Sequence, residues 1–340
     1  MKNSALGIPQ QAMVVDCHLD IGLALENAHA RGETGTLVRD FLPSFKAGCV
    51  DVVFAACYAE TQHLPEQGLR RILDQISLIY REVAASEGAF VIAKTVREIK
   101  KAKENGQIAL LLALEGAEPL NGDILLLHSL YALGVRVISP CWSRSGWAAD
   151  GCRFVPFADY EGYGLTEAGG QLMACAEELG ILIDVSHCNL KSFWDIVRMT
   201  RKPFIATHSN AYAVSPVARN LDDEQIKTMR ARQCVMGLNG ANLIVNFQSP
   251  QSANLDDLVR HLEHEKQVGG ADILAIGLDQ ISRIDVSNPP GIAGAIFDVM
   301  PSHEQLPELA EALRTSGFST HEVIGVFGAN VIRLLETTIG

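Results

Sequence analysis

Three segments of this chain place histidine and carboxylate side chains where a strand would give way to a loop. His18 and Asp20 close an apolar run near the start, and the consecutive segments Ile183-Asp184-Val185-Ser186-His187 and Phe204-Ile205-Ala206-Thr207-His208 each end in histidine. Imidazole nitrogens and carboxylate oxygens are zinc ligands, and gathering them at strand ends is how a barrel enzyme builds a metal site at one rim. His18 and Asp20 are two apart, so on a strand their side chains point the same way, ~7 Å apart along the backbone, with Cys17 and Leu19 on the other face. Alone, a His-x-Asp pair is common by chance. Glu115 ends a wholly apolar run over 108–114 and precedes Gly116. A buried carboxylate there must be paired, protonated or bound to a cation, because burying a lone charge is too costly; the plainer alternative is a Glu already in solvent. His187 and His208 form the sharper pair, since adjacent strands lie ~4.8 Å apart and two rim imidazoles can reach one metal.

Two further positions could complete such a site. Asp279 ends the run Ile276-Gly277-Leu278-Asp279, a place suited to shuttling the proton of a metal-bound water; a loop Asp capping a turn is the ordinary alternative. Arg219 and Asn220 lie just beyond the strand ending in His208, where a guanidinium fork takes a carboxylate. An Arg219 salt-bridged to Asp222 or Asp223 is equally simple. The remaining histidines (29, 63, 128, 261, 264, 303 and 321) receive no role, and no G-x-S-x-G nucleophile elbow is present.

The elements that must position these residues are legible as an alternation. Strands are predicted over residues 14–21, 50–59, 108–116, 135–141, 181–187, 204–208, 234–239 and 274–279. Amphipathic segments over 69–86, 124–133, 166–179, 192–200, 222–232 and 255–268 lie between them, several ending in glycine as helices do. Eight near-continuously apolar strands alternating with helices predict an α/β fold, a (β/α)8 TIM barrel, spanning residues 1–340 as one domain. The absence of a glycine-rich phosphate loop after the first strand argues against a doubly wound open sheet. Residues 282–304, rich in Pro and Gly, read as an extended loop after the eighth strand, where a barrel carries active-site material.

Composition excludes several function classes. The chain is 48% hydrophobic and 20% charged, which fits neither disorder nor a fibrous protein. A formal net charge of -12 argues against nucleic acid or an anionic membrane surface as partner. No apolar run approaches the ~20 residues of a transmembrane helix, and residues 1–13 hold no secretory h-region. Eight cysteines without a C-x-x-C pair or compact framework read as core residues of a reducing compartment, so the expected location is the cytoplasm.

Taken together the segments resemble the membrane dipeptidase (renal dipeptidase) family of zinc peptidases, peptidase family M19, and its bacterial members in particular. The resemblance runs along nearly the whole chain. It is strongest in LTEAGGQLMACAEELGILIDVSH, ending at His187, then in His208-Ser209-Asn210, Arg219-Asn220-Leu221-Asp222-Asp223 and Gly328-Ala329-Asn330-Val331-Ile332-Arg333. What it implies is a barrel of the metallo-dependent hydrolase type carrying a binuclear zinc site, with His18 and Asp20 on one metal, Glu115 bridging, and His187 and His208 on the other. It also implies Asp279 as acid/base and Arg219 as the group that takes the substrate carboxylate, with Asn220 beside it. Two segments depart from the family. A substrate-contacting histidine after the fourth strand is replaced by Trp142 or, with a one-residue shift, Cys141; the family's D-F-D-G after the eighth strand is Asp279-Gln280-Ile281-Ser282 here.

The implied activity is a zinc-dependent dipeptidase that hydrolyses the peptide bond of dipeptides with water activated at two zinc ions, Trp142 contributing to the substrate pocket. Hydrolysis of N-acyl amino acids or lactams on the same centre is the enzymatic alternative, and a non-catalytic metal-binding partner protein the alternative of another class. A homodimer is the assembly the family resemblance suggests.

Overall fold

The computed structural model describes residues 6–284 and 295–340. The described residues form nine strands: β1 (Val15–Leu19), β2 (Val52–Tyr58), β3 (Phe90–Ile92), β4 (Ile108–Glu115), β5 (Val135–Ile138), β6 (Leu182–Ile183), β7 (Ile205–Ala206), β8 (Val235–Leu238) and β9 (Leu274–Ile276). All pair in parallel in the order β6-β5-β4-β2-β1-β9-β8-β7. A parallel bridge between Asp184 and Ile205 joins the two ends, so the sheet closes into the eight-stranded ring of a (β/α)8 barrel. Each of the eight predicted strands falls on one ring strand. The ninth, β3, was not expected: it pairs with the start of β4 (Phe90↔Ile108 to Ile92↔Leu110), below the point where β5 takes over that edge at Leu112↔Val135.

Side-chain alternation sorts the strands into two layers. Val15 and Cys17 of β1, Val52 and Phe54 of β2, Ala109, Leu111 and Ala113 of β4, Val137, Leu182, Ile205, Val235 and Ala275 all join one inner cluster. The C-terminal helix Asn330–Thr338 adds Val331, Leu334 and Leu335 to it and so closes the end of the barrel away from the strands' C-termini. The intervening residues, such as Val53, Ala55 and Cys57 of β2, pack outward against the helices. On β4 the inward set 109, 111, 113 continues to Glu115, which therefore arrives at the barrel mouth on the inner face.

β1 breaks its alternation, and the break matters. Its register to β2 shifts between Asp16↔Val53 and Leu19↔Ala55, one extra residue on β1. Cys17 consequently packs in the inner cluster while Leu19 packs in the outer one. This corrects the expectation that the two share a face; the bulge lets Cys17 and His18 both approach the barrel axis.

The helices start and stop as their sequences direct. Thr166 Oγ1 accepts from Gly169 N to open the helix Glu167–Leu179, which ends at Gly180 with φ +75°. The helices Leu126–Leu133 and Asp223–Ala231 match predicted segments, the second opened by an Asp222/Gln225 capping box. No helix among the described residues is long and apolar enough to cross a membrane. Of the loop predicted over 282–304, residues 285–294 lie outside the described residues. Its flanks are tied together where Asp298 accepts from the backbone N–H groups of Ile281 and Ser282 and from the Ser282 hydroxyl.

Candidate metal centre

Six of the sequence-selected side chains meet at the C-terminal mouth of the barrel. His18 comes from β1 and Asp20 from just past it, Glu115 from the end of β4, His187 and His208 from beyond β6 and β7, and Asp279 from beyond β9. Glu115 Oε1 is the hub: it lies 2.8 Å from His187 Nε2, 3.5 Å from His208 Nε2 and 3.6 Å from His18 Nε2. His18 Nε2 is also 4.0 Å from Asp20 Oδ1 and 3.9 Å from Asp279 Oδ1. Two overlapping ligand sets result, His18–Glu115–His208 and His18–Asp20–Asp279, each with its donor atoms within 4.8 Å of one another.

Backbone conformation makes this convergence possible. His187 and Asp279 both adopt left-handed φ, +70° and +51°, and Gly116 after Glu115 has φ +86°. For residues other than glycine that conformation costs roughly 1–2 kcal/mol each, a strain that collects at functional sites. Close packing also contributes: a Cβ at Gly237 or Gly277 would collide with the Thr207 carbonyl oxygen, so glycine at both lets the backbone just before His208 press against β8 and β9.

The imidazoles are fixed by a second layer of hydroxyls and carboxylates. Thr207 Oγ1 donates to Asp184 Oδ2 at 2.6 Å and stands 2.7 Å from His208 Nδ1. A hydroxyl that spends its proton on a carboxylate can only accept from the ring, so Nδ1 carries the hydrogen and Nε2 offers its lone pair to the centre. Ser143 Oγ stands 2.7 Å from His187 Nδ1. Under β1, Asp16 Oδ1 accepts from His18 N and Leu278 N while Oδ2 pairs with His303 Nε2 at 2.7 Å. These second-layer groups were not selected from the sequence; Asp184, Ser186 and Thr207 sit in the very segments that were quoted, but nothing in their spacing reveals which hydroxyl meets which ring. His303, given no role from sequence, is thereby a support for β1.

Among the described residues that line the site, Arg219 is the one cationic side chain. Burial drives the Asp20 carboxyl up to about 7 against a hydrogen bond to Glu115. Burial, then the neighbouring carboxylates, push Glu115 and Asp279 well above the usual carboxylate range. Burial and Arg219 lower His18 to about 3, and burial with nearby positive groups holds His187 and His208 well below the usual imidazole range. His18 Nε2 and Asp20 Oδ1 are buried with no hydrogen-bond partner among the described residues, and His187 Nε2 faces His208 Nε2 at 2.9 Å. Unpaired lone pairs converging from neutral imidazoles and crowded carboxyls are the donor set a divalent cation satisfies.

Above this cluster opens a cavity of about 460 Å³, lined among others by Asp20, Glu115, His187, Arg219, Asp279 and Trp142. Arg219 is buried, with Nη2 donating to the His208 carbonyl at 3.3 Å and Nη1 without a partner among the described residues. Trp142 lies with its ring 5.4 Å from that of His187 and 5.3 Å from Tyr58. Of the two residues considered for this place, Trp142 lines the cavity and Cys141 turns into the outer core. Arg144 secures the arrangement by bonding Glu118, which also accepts from Trp142 N. Asn220 does not join the site: its Oδ1 accepts from Asn210 N and its Nδ2 donates to the Ser215 and Ile244 carbonyls, so its amide is consumed by the backbone. It shapes the loop that carries Arg219.

The sequence profile of the membrane dipeptidase family, peptidase family M19, matches residues 3–339. The chain belongs to that family. A metallo peptidase from Rhodobacter sphaeroides, solved with a phosphinate mimic of the dipeptide L-Ala-D-Ala, superimposes with a TM-score of 0.84 at 30% identity, covering 96% of this chain and 99% of that one. A second M19 structure, dipeptidase AC, gives the same TM-score and identity over 97% of this chain and 99% of its own. A Klebsiella pneumoniae protein described as an uncharacterized protein in the pqqA 5'region is 30% identical over 278 residues, 80% of this chain and 98% of that protein. The M19 membership makes this protein a metallopeptidase, a hydrolase acting on dipeptides, in a barrel whose mouth carries a carboxylate- and imidazole-rich cluster.

Proposed function

We propose that the chain is a single-domain zinc dipeptidase with two metal ions held by His18, Asp20, Glu115, His187 and His208. The observation that carries this reading is the convergence of three imidazole Nε2 atoms on Glu115 Oε1, with His18 Nε2 and Asp20 Oδ1 unpartnered beside it. Glu115 is central among the imidazoles, and His18 stands beside both Asp20 and His208, so these five residues would hold the ions together. Bound there, zinc would supply the Lewis acidity that polarises a carbonyl and makes water nucleophilic at neutral pH. His/carboxylate sites also accept manganese or cobalt.

The chain's own groups do the rest. Arg219 Nη1, buried and free, takes the C-terminal carboxylate of a short substrate, which selects dipeptides by their end. Asp279 accepts the proton of the attacking water at Oδ1 and returns it to the leaving amine, its Oδ2 steadied by Asn239 Nδ2 at 3.0 Å. Trp142 and Tyr58 wall one side of the cavity and exclude water. Eight cysteines that form no disulfide fit a reducing cytoplasm.

The test is hydrolysis of a dipeptide panel before chelation, after chelation and after zinc is restored. Cleavage that is lost and regained supports the reading. Cleavage indifferent to chelation contradicts it, and turnover confined to N-acyl amino acids would assign the centre to another amide substrate.

A further inference from the structure

The cavity is chemically divided. Phe154, Ala241, Ile244 and Ile281 line it and form, with Val217 and Phe247, a small apolar cluster separate from both main cores. The polar lip Glu60, Thr61 and Gln62 follows β2 instead. Among the lining residues the charged ones are Asp20, Glu60, Glu115, Arg219 and Asp279.

The apolar cluster stands next to the two groups that meet one end of the substrate. Val217 is two residues before Arg219, and Ile281 two residues after Asp279. Ala241 and Ile244 follow Asn239, whose amide bonds Asp279 Oδ2. In a dipeptide, the carboxylate that Arg219 grips and the nitrogen that Asp279 protonates are both bonded to the Cα of the C-terminal residue. The side chain of that residue therefore leaves from a point between Arg219 and Asp279, where the wall is apolar. The wall is also rigidly built: Asp298 holds the backbone of Ile281 and Ser282, and Asn220 Nδ2 holds the Ile244 carbonyl at 3.0 Å.

We propose that Phe154, Ala241, Ile244 and Ile281 form a specificity pocket for an apolar side chain on the C-terminal residue of the dipeptide. The proposal rests on the dipeptidase reading. Leucine or phenylalanine there exchanges water for apolar contact, whereas aspartate or lysine strands a charge against a wall whose described residues are apolar. Pockets of this kind discriminate by roughly 10–200-fold for a methylene-scale difference, and a charge is penalised at least as strongly.

The experiment measures kcat/KM of the zinc-loaded enzyme on Ala-Leu, Ala-Phe, Ala-Asp and Ala-Lys, with the C-terminal residue in both L and D forms. Leu and Phe are expected to exceed Asp and Lys by roughly 100-fold in the preferred stereochemical series. Ile281→Lys and, separately, Phe154→Lys should lower the Leu-to-Asp ratio at least about tenfold, and because the ratio is taken within one preparation it is insensitive to lost folded enzyme. Ratios near unity in the unaltered enzyme, or unchanged in both variants, overturn the proposal while leaving the dipeptidase reading standing. No cleavage of any member by zinc-loaded protein removes that reading and the pocket with it.

Discussion

Replacing Thr207 by valine removes one hydroxyl and tests the tautomer argument for His208. The hydroxyl is the sole link in the chain Asp184 Oδ2–Thr207 Oγ1–His208 Nδ1, with spacings of 2.6 and 2.7 Å. Asp184 keeps its bonds from the backbone N–H groups of Ser186 and Thr207, both at 2.9 Å to Oδ1, so its carboxylate is not stranded. Valine keeps the branched shape of the side chain, and the expected stability loss is about 1–3 kcal/mol for the unpaired buried ring nitrogen. What the ring loses is the acceptor that fixes its orientation and leaves Nε2 free. Losing such a partner weakens metal binding by roughly 10–100-fold, which is about 1.4–2.7 kcal/mol. Competition with a calibrated chelator reads the affinity, and activity at saturating zinc should recover most of the loss. Thr207→Ser restores the hydroxyl and should bind zinc close to the unaltered level. Zinc affinity of Thr207→Val within about threefold of the unaltered protein would refute the relay.

Other outcomes follow from the same geometry. Arg219→Met should lower kcat/KM on dipeptides by roughly 10–100-fold, mainly through KM, as expected for losing a charge-assisted bond of about 1.5–3 kcal/mol; a C-terminally amidated dipeptide should show little difference between the two proteins. Asp279→Asn should cut kcat by roughly 100–10,000-fold while zinc content, measured by mass spectrometry, holds. Glu265 is buried with both carboxyl oxygens unpartnered among the described residues, and burial raises its pKa well above the usual range. A raised carboxyl contributes stability that is whole below the unfolded pKa and is lost as pH rises through the folded one, so Glu265→Gln should flatten the fall in melting temperature above pH ~4.3. Near neutral pH the same variant should gain about 1–3 kcal/mol by denaturant titration; unchanged stability across that range would show that the carboxyl finds a partner.

The barrel was legible because its ring strands are buried on both faces and read as apolar runs, each punctuated by the residue that reaches the mouth. Glu115 stands out in the sequence because it ends a wholly apolar run, and parity along the eight-residue strand then puts it on the inner face. β3 escaped notice because three residues, Phe90–Ile92, pair with only the start of β4. The bulge in β1 was invisible for a different reason: an extra residue changes which side chains share a face without altering composition, so Cys17 and Leu19 were put together and lie apart. The left-handed turns at His187 and Asp279 are tertiary in origin, since neither residue type demands them. Asn220 shows the converse limit: adjacency to Arg219 suggested a shared role, but neighbours in a loop point different ways and its amide went to the backbone. Ser143, Asp184 and Thr207 act across strands, where sequence separation hides contact.

The most direct test of the account is metal content per chain after zinc reconstitution, in the unaltered protein and in Glu115→Gln, with dipeptide hydrolysis measured on the same samples. The account predicts roughly two zinc ions per chain with activity in the unaltered protein, and loss of at least one ion with loss of activity in the variant. Full zinc loading of Glu115→Gln with activity intact, or no zinc retained by the unaltered protein, would contradict it.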